Sequence, residues 1–203
     1  MSATSLVRDT RDVILDAMER LLARFGYKKT TMDDVAREAG IGKGTIYLHF
    51  PSKEEVALSS IDRVVERVQE RLRALAASSL SAEDRLREML AERVLMRFDS
   101  VQAYSQGLDD LFESLRPAYM ARRERYFQAE TEIFARVLAE GRRKKLFAIS
   151  DVDSTAHTLL LATNALLPYS LSPGELGERA EIEKKVARLS NVLLYGLLHR
   201  DTN

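Results

Sequence analysis

The stretch GYKKTTMDDVAREAGIGKGTIYLHFPSKEEV, residues 26–56, decides the fold. Four of the chain's nine glycines, Gly26, Gly40, Gly42 and Gly44, fall inside it, and glycine punctuates regular structure. Upstream, Ile14, Ala17, Met18, Leu21, Leu22 and Phe25 repeat at the spacing of a helix with one buried face. Gly26 then fits the C′ position, where a left-handed residue stops a helix. A second helix fits Met32 to Ala39, with Thr31 as N-cap and two early acids, Asp33 and Asp34, favoured by the helix dipole. Gly40 makes the turn, Gly42 takes the next N-cap, and a third helix fits Lys43 to Phe50. It stops before Pro51, because proline disfavours helical geometry in the residue preceding it. Ser52-Lys53-Glu54-Glu55 is a capping box that opens a fourth helix.

Two helices of about eight residues are too short to stand alone in water. Val35, Ala36, Ile41, Ile46 and Phe50 are expected to hold them against the first helix. Such a pair is a helix-turn-helix, whose second member lies in the DNA major groove. Its outward residues are then Lys43, Gly44, Thr45, Tyr47, Leu48 and His49. They suit a reader of duplex DNA: a cation for guanine edges, a small residue for close approach and hydroxyls for phosphate. GIGKGT invites a phosphate-loop reading, which needs Ser or Thr directly after Gly-Lys and a glycine six residues before the lysine. Gly44 follows Lys43 and Arg37 holds the earlier position, so that reading fails.

Residues 26–56 closely resemble the TetR family of bacterial transcriptional repressors. The resemblance rests on Thr30-Thr31, Val35-Ala36, Ala39-Gly40, Gly44-Thr45-Ile46-Tyr47, His49-Phe50 and Ser52-Lys53-Glu54. It runs residue by residue over roughly 10–56; beyond that only helix count, helix lengths and an acidic helix start near Asp151 match. It implies a helix-turn-helix DNA-binding domain at 1–51 and a helical ligand-binding and dimerisation domain at 52–203, whose last two helices pair into a four-helix bundle. It also implies phosphate contacts from Thr31, Thr45, Tyr47 and Lys53, with Lys43, Gly44, Leu48 and His49 approaching bases or nearby backbone. Two residues depart from the pattern. Gly42 stands where a serine is common, which removes a side-chain cap. Asp33 lies where it can face the groove, and an acid there repels phosphate unless it points at a cytosine amino group.

Elsewhere nearly everything keeps helical period and no segment alternates like a strand, so an all-α chain of about nine helices is expected. The fourth helix is long, with Ile61, Val64, Val65, Val68, Leu72 and Leu75 along one face. Further helices fit residues 82–98 and 101–115, and another begins at Pro117, a favoured first helical residue. The last of these ends in the basic run Arg142 to Lys145, which reads as a solvated carboxyl-terminal turn rather than a second nucleic-acid patch. Asp151 and Asp153 open a helix that is apolar nearly all round to Leu167, and the last helix fits 178–198.

Met89, Met96, Phe98, Tyr104, Phe112, Tyr119, Met120 and Phe127 are core or pocket-lining candidates. Pockets of bundles lie between helices, and this lining suits a hydrophobic or amphipathic effector. The last helix carries Ile182, Val186, Leu189, Val192, Leu193, Leu194, Leu197 and Leu198, a stripe too wide for one core contact. With Leu166 it implies a partner surface, formed chiefly by Leu189, Val192, Leu193 and Leu197, and two-fold homodimers are the commonest assembly.

Composition removes several classes of chemistry. The chain has 203 residues, no cysteine and three histidines, His49, His157 and His199. No thiolate site, disulfide or cysteine nucleophile is possible. Asp151, Asp153 and His157 read better as an N-cap and a surface histidine than as metal ligands, so neither metal nor cofactor is expected. Lys+Arg 31 against Asp+Glu 31 leaves zero net charge, without the global basic field of many nucleic-acid binders. Between Tyr27 and Lys53 the five cations exceed the three acids by only two, which predicts a moderate salt dependence. The most apolar run, Leu159 to Pro168, falls short of the roughly 20 residues that span a bilayer. The opening MSATSLVRDTRD does not read as a signal peptide, so a cytoplasmic location is expected.

The expectation is a homodimeric, non-catalytic, ligand-responsive DNA-binding regulator. It is read as a repressor that leaves a pseudo-palindromic operator when a small molecule binds. The fourth helix, running from Lys53 into the second module, is the expected lever. The alternative is a small-molecule carrier or enzyme with a vestigial helix-turn-helix, although no nucleophile, base and orienting group occur at catalytic spacing.

Overall fold

A computed structural model describes residues 9–102, 108–170 and 177–196. Among these residues there are eight α-helices, one short 3-10 turn and no strand: an all-α fold. The helices are α1 (Thr10–Lys29), α2 (Met32–Ala39), α3 (Lys43–His49), α4 (Lys53–Ala76) and α5 (Ala82–Gln102). They continue with α6 (Leu108–Arg143), α7 (Val152–Asn164) and α8 (Arg179–Tyr195), with the 3-10 turn at Pro168–Ser170. The chain divides into two compact units, residues 1–64 with 103–119, and residues 65–102 with 120–203.

In the first unit α1 buries Ile14, Ala17, Met18, Leu21 and Leu22. Gly26, at φ 74, breaks the helix, and one further turn reaches Lys29. That backbone conformation strains any residue with a Cβ. Phe25 leaves the expected buried row: it is 49% exposed, with the Arg24 guanidinium 5.0 Å from its ring centroid. The break one residue later turns the chain, and Tyr27 is buried in its place. Arg63 of α4 reaches three carboxylates of α1: Asp16 at 2.8 Å, Glu19 at 2.7 Å and Asp12 at 3.7 Å. A half-buried guanidinium with several carboxylates is screened less than a surface pair, so this cluster fixes the start of α4 against α1.

In the second unit Val68, Leu72, Leu86, Met89, Leu90, Phe134 and Leu160 form the centre of one apolar cluster. Beside it lies a buried charged layer. Glu130 of α6 accepts from Arg93 Nε at 2.7 Å and from an Arg97 guanidinium nitrogen, both arginines belonging to α5. Arg93 also donates to Thr163 Oγ1 at 2.7 Å, Asn164 Oδ1 at 2.8 Å and the Leu160 carbonyl at 3.3 Å, at the carboxyl end of α7. Burial alone would raise the Glu130 carboxyl, but Arg97 and Arg93 hold it below the ordinary carboxylate range. Removing one partner of such a layer costs about 3–5 kcal/mol, because a charge is left buried and unpaired. Further along α6, Gly141 accommodates Phe147, whose ring would lie 2.2 Å from any Cβ there.

Several helix boundaries differ from the sequence reading, and α5 runs on to Gln102, past its expected end at residue 98. Residues 108–143 are one helix with Pro117 inside it, not two helices meeting at Pro117. Leu111, Leu115 and Tyr119 are buried at successive intervals of four, so the apolar row passes straight through. Pro117 and Glu113 are exposed, so the carbonyl that loses its amide partner belongs to a residue on the solvent side. The helix starting after Asp151 stops at Asn164 and gives way to the 3-10 turn. The last helix ends at Tyr195 because Gly196 adopts φ 74. Leu197 and Leu198 lie outside the described residues.

Glu140 pairs with Lys144 at 2.7 Å and Arg85 at 2.8 Å, and these bonds hold its carboxyl at about 2. An unfolded glutamate titrates near 4.3, so folded Glu140 binds fewer protons. Its contribution is complete above about pH 4.3 and disappears as the pH falls through about 2. Glu140→Gln is therefore expected to lower the denaturation midpoint at neutral pH. The difference from wild type should narrow as urea melts are repeated at decreasing pH across that window.

Candidate nucleic-acid interface

The α2–turn–α3 segment is built on caps and two buried anchors. Thr31 and Asp34 form a reciprocal capping box: Asp34 N–H donates to Thr31 Oγ1 at 3.2 Å, and Thr31 N–H donates to the Asp34 carboxylate at 3.1 Å. The Thr31 hydroxyl, which also donates to the Asp34 carboxylate at 2.6 Å, and then the Thr31 N–H hold that carboxyl below its usual range. Sequence reading placed the cap but not the box, because Asp is shorter than the Glu or Gln usual at that position. Gly40 closes α2 in the left-handed region at φ 68. Gly42 caps α3 without a side-chain bond. Val35 and Ala36 of α2 are buried, Ile46 and Phe50 are 0% exposed, and Ile41 is half-buried. The Arg11 guanidinium stacks over the Phe50 ring at 4.3 Å.

With Ile46 turned inward, Lys43, Gly44, Tyr47, Leu48 and His49 are exposed and Thr45 is half-buried. Leu48 is 85% exposed and Tyr47 47%. Gly44 has no neighbouring atom within 4 Å of where a Cβ would stand. Lys43 donates to the Asp33 carboxylate at 2.9 Å, which raises the lysine above its ordinary value. Lys53 turns back onto the end of α1: Nζ donates to the Tyr27 carbonyl at 3.0 Å and lies 4.1 Å from the Tyr27 ring centroid. Burial lowers the Lys53 ammonium, while burial and then the charge of Glu54 raise the Tyr27 hydroxyl. Neither partner was legible in the sequence, since Asp33–Lys43 crosses a turn and Lys53 to Tyr27 spans 26 positions.

Residues 14–59 match the family model described as "Bacterial regulatory proteins, tetR family". Over those residues the chain is similar to the TetR family. Over 59 residues it is 42% identical to the HTH-type transcriptional regulator EthR of Mycolicibacterium smegmatis, covering 29% of this chain and 27% of EthR. The chain matches only about a quarter to a third of the length of the curated relatives it resembles. Solved structures align over far more. A TetR/AcrR-family regulator from Thermobifida fusca is 27% identical, with a TM-score of 0.70 over 93% of this chain and 98% of that one. FadR of Bacillus subtilis in complex with stearoyl-CoA shares the fold at 16% identity, with a TM-score of 0.67 over 92% of this chain and 99% of that one.

The remaining candidate residues scatter. Met89, Phe98 and Phe127 are buried in the second unit, Tyr119 is buried in the first, Met96 is half-buried and Met120 is 40% exposed. Tyr104 and the Phe112 side chain lie outside the described residues. Leu166, Leu189 and Leu193 are half-buried and Val192 is 41% exposed, whereas Ile182 and Val186 are fully buried. A cleft of about 460 Å³ is lined by Gln128, Thr131 and Glu132 of α6 and by Asp153, Ser154 and His157 of α7. Asp151 caps α7, accepting from Ser154 N–H at 3.0 Å, and His157 packs edge-on against Phe127 with centroids 4.8 Å apart. Arg142 donates to the Ser150 carbonyl and Lys144 to Glu140, tying down the basic run at the end of α6. None of the helices among the described residues is long and apolar enough to cross a membrane.

Thr31→Val keeps the side-chain shape but removes the hydroxyl of the capping box. It is expected to cost about 0.5–2 kcal/mol in thermal melts. The Asp34 carboxyl should titrate closer to the ordinary aspartate range when followed by NMR.

Proposed function

We propose that this chain is a homodimeric, ligand-responsive transcriptional regulator of the repressor type. Residues 1–51 bind a pseudo-palindromic operator, and residues 52–203 bind an effector and dimerise. Gly44 carries the reading. A glycine inside a helix costs up to about 1 kcal/mol relative to alanine, yet no neighbouring group of the protein needs the space at Gly44. The tolerance is explained by something outside the chain that approaches α3 closely. Major-groove DNA fits, because Lys43, Tyr47 and Leu48 are held out on the same short helix. Thr31, Thr45, Tyr47 and Lys53 are assigned to phosphates, and Lys43, Gly44, Leu48 and His49 to bases or nearby backbone.

Dimerisation is supported by Leu161, Val192 and Tyr195, large side chains 51%, 41% and 56% exposed on α7 and α8. Two α3 helices in such a dimer would enter the groove about one DNA turn apart, roughly 34–36 Å. A fold neighbour holds stearoyl-CoA, in keeping with a hydrophobic or amphipathic effector. Helix α4 has its first residues in one unit and its last in the other. Effector binding is proposed to act through it, with coupling of about 1–3 kcal/mol.

Selection of duplexes from a genomic-fragment pool is expected to enrich one palindromic sequence, which a carrier or enzyme with a vestigial helix-turn-helix would not do. On that sequence Lys43→Ala and Tyr47→Ala should each lose about 1–3 kcal/mol of binding in gel-shift titrations. Gly44→Ala should raise thermal stability while weakening the complex. Wild-type binding by all three variants would remove the recognition role from α3.

A further inference from the structure

Asp33 and Lys43 stand together where α2 meets α3. The carboxylate and the ammonium are 2.9 Å apart, and their side chains are 62% and 47% exposed. Neighbouring Asp34 is committed to the Thr31 box and to Arg37 at 3.1 Å. Asp33 is directed instead at the first residue of the recognition helix. A carboxylate on a surface that meets phosphates opposes binding, so its place beside Lys43 calls for a compensating role.

We propose, resting on the reading that α3 lies in the major groove, that Asp33 and Lys43 act as one donor–acceptor couple that reads a G·C base pair. In the major groove guanine offers two acceptors, N7 and O6, and its cytosine offers one donor, the N4 amino group. Lys43 supplies hydrogen-bond donors to guanine, and Asp33 accepts from the cytosine amino group. An A·T pair interleaves its amino donor between two acceptors, so it meets the lysine with a donor where guanine gives an acceptor. The existing ion pair keeps both side chains in register before DNA arrives. The same carboxylate cancels the charge of Lys43 towards phosphates, lowering affinity for random sequence. Asp33 is thereby a specificity-determining residue, and Lys43 alone would be a general cation.

The test uses the full chain and the duplex selected by the wild type, together with all its single-base-pair variants. Wild type, Asp33→Ala, Asp33→Asn and Asp33→Ala/Lys43→Ala are titrated by fluorescence anisotropy at several salt concentrations, with thermal melts confirming that each is folded. Both single variants are expected to lose preference at one G·C position per half-site, by roughly five- to 150-fold. They should also bind random duplex more tightly, with a salt slope steeper by about one per protomer. The double variant should show no preference left at that position. Retention of wild-type preference at every position overturns the proposal, even if random binding tightens, because Asp33 would then only screen charge. Equal loss at all positions overturns it too. Wild type selecting no sequence is a different failure, that of the DNA-binding reading itself.

Discussion

Helices α2 and α3 have eight and seven residues, below the length at which a helix persists in water. Their geometry is therefore imposed by burial. Ile46 and Phe50, both fully enclosed, supply about 1.5–3 kcal/mol each, and the Thr31–Asp34 box and Gly40 fix where α2 begins and ends. Only one face of α3 is consumed in this way. Ile46 is the one residue of α3 that is buried, and the exposure of Leu48 and Tyr47 follows from the same rotation that hides it.

The amino-terminal unit was legible because its signals are local. Glycine spacing, the Thr31 cap and Pro51 each act on the backbone within a few residues, and no tertiary competitor overrides them. The later boundaries failed where a tertiary row outweighed a local preference. Pro117 is a good helix starter, but the continuous burial of Leu111, Leu115 and Tyr119 carries the helix across it. Gly196 ends α8 by the same left-handed device that breaks α1 at Gly26, and the run of leucines around it concealed that stop. Ion pairs were illegible throughout, since Arg93 and Glu130 are 37 positions apart and carry no periodic mark.

The electrostatics of the first unit are short-ranged. Its cations are largely engaged at home: Lys28 with Glu113, Arg37 with Asp34, Lys43 with Asp33, and Lys53 with a carbonyl. Exposed pairs of this kind contribute about 0–1 kcal/mol to folding and can be exchanged for other anions at little cost. Zero net charge is thus compatible with cations fixed at particular places, because the positive groups are held by partners rather than summed into a field.

The layer made by Arg93, Arg97 and Glu130 constrains how this lineage can drift. Losing the carboxylate strands two guanidiniums, and losing Arg93 leaves Glu130 with Arg97 alone and takes the donor from the polar end of α7. Any viable exchange for an oily layer must replace all three at once, as hydrophobic substitutes for buried ion triads require. Single-step ancestors of such a swap would be poorly folded, so the triad behaves as an evolutionary ratchet: simple to inherit and hard to leave.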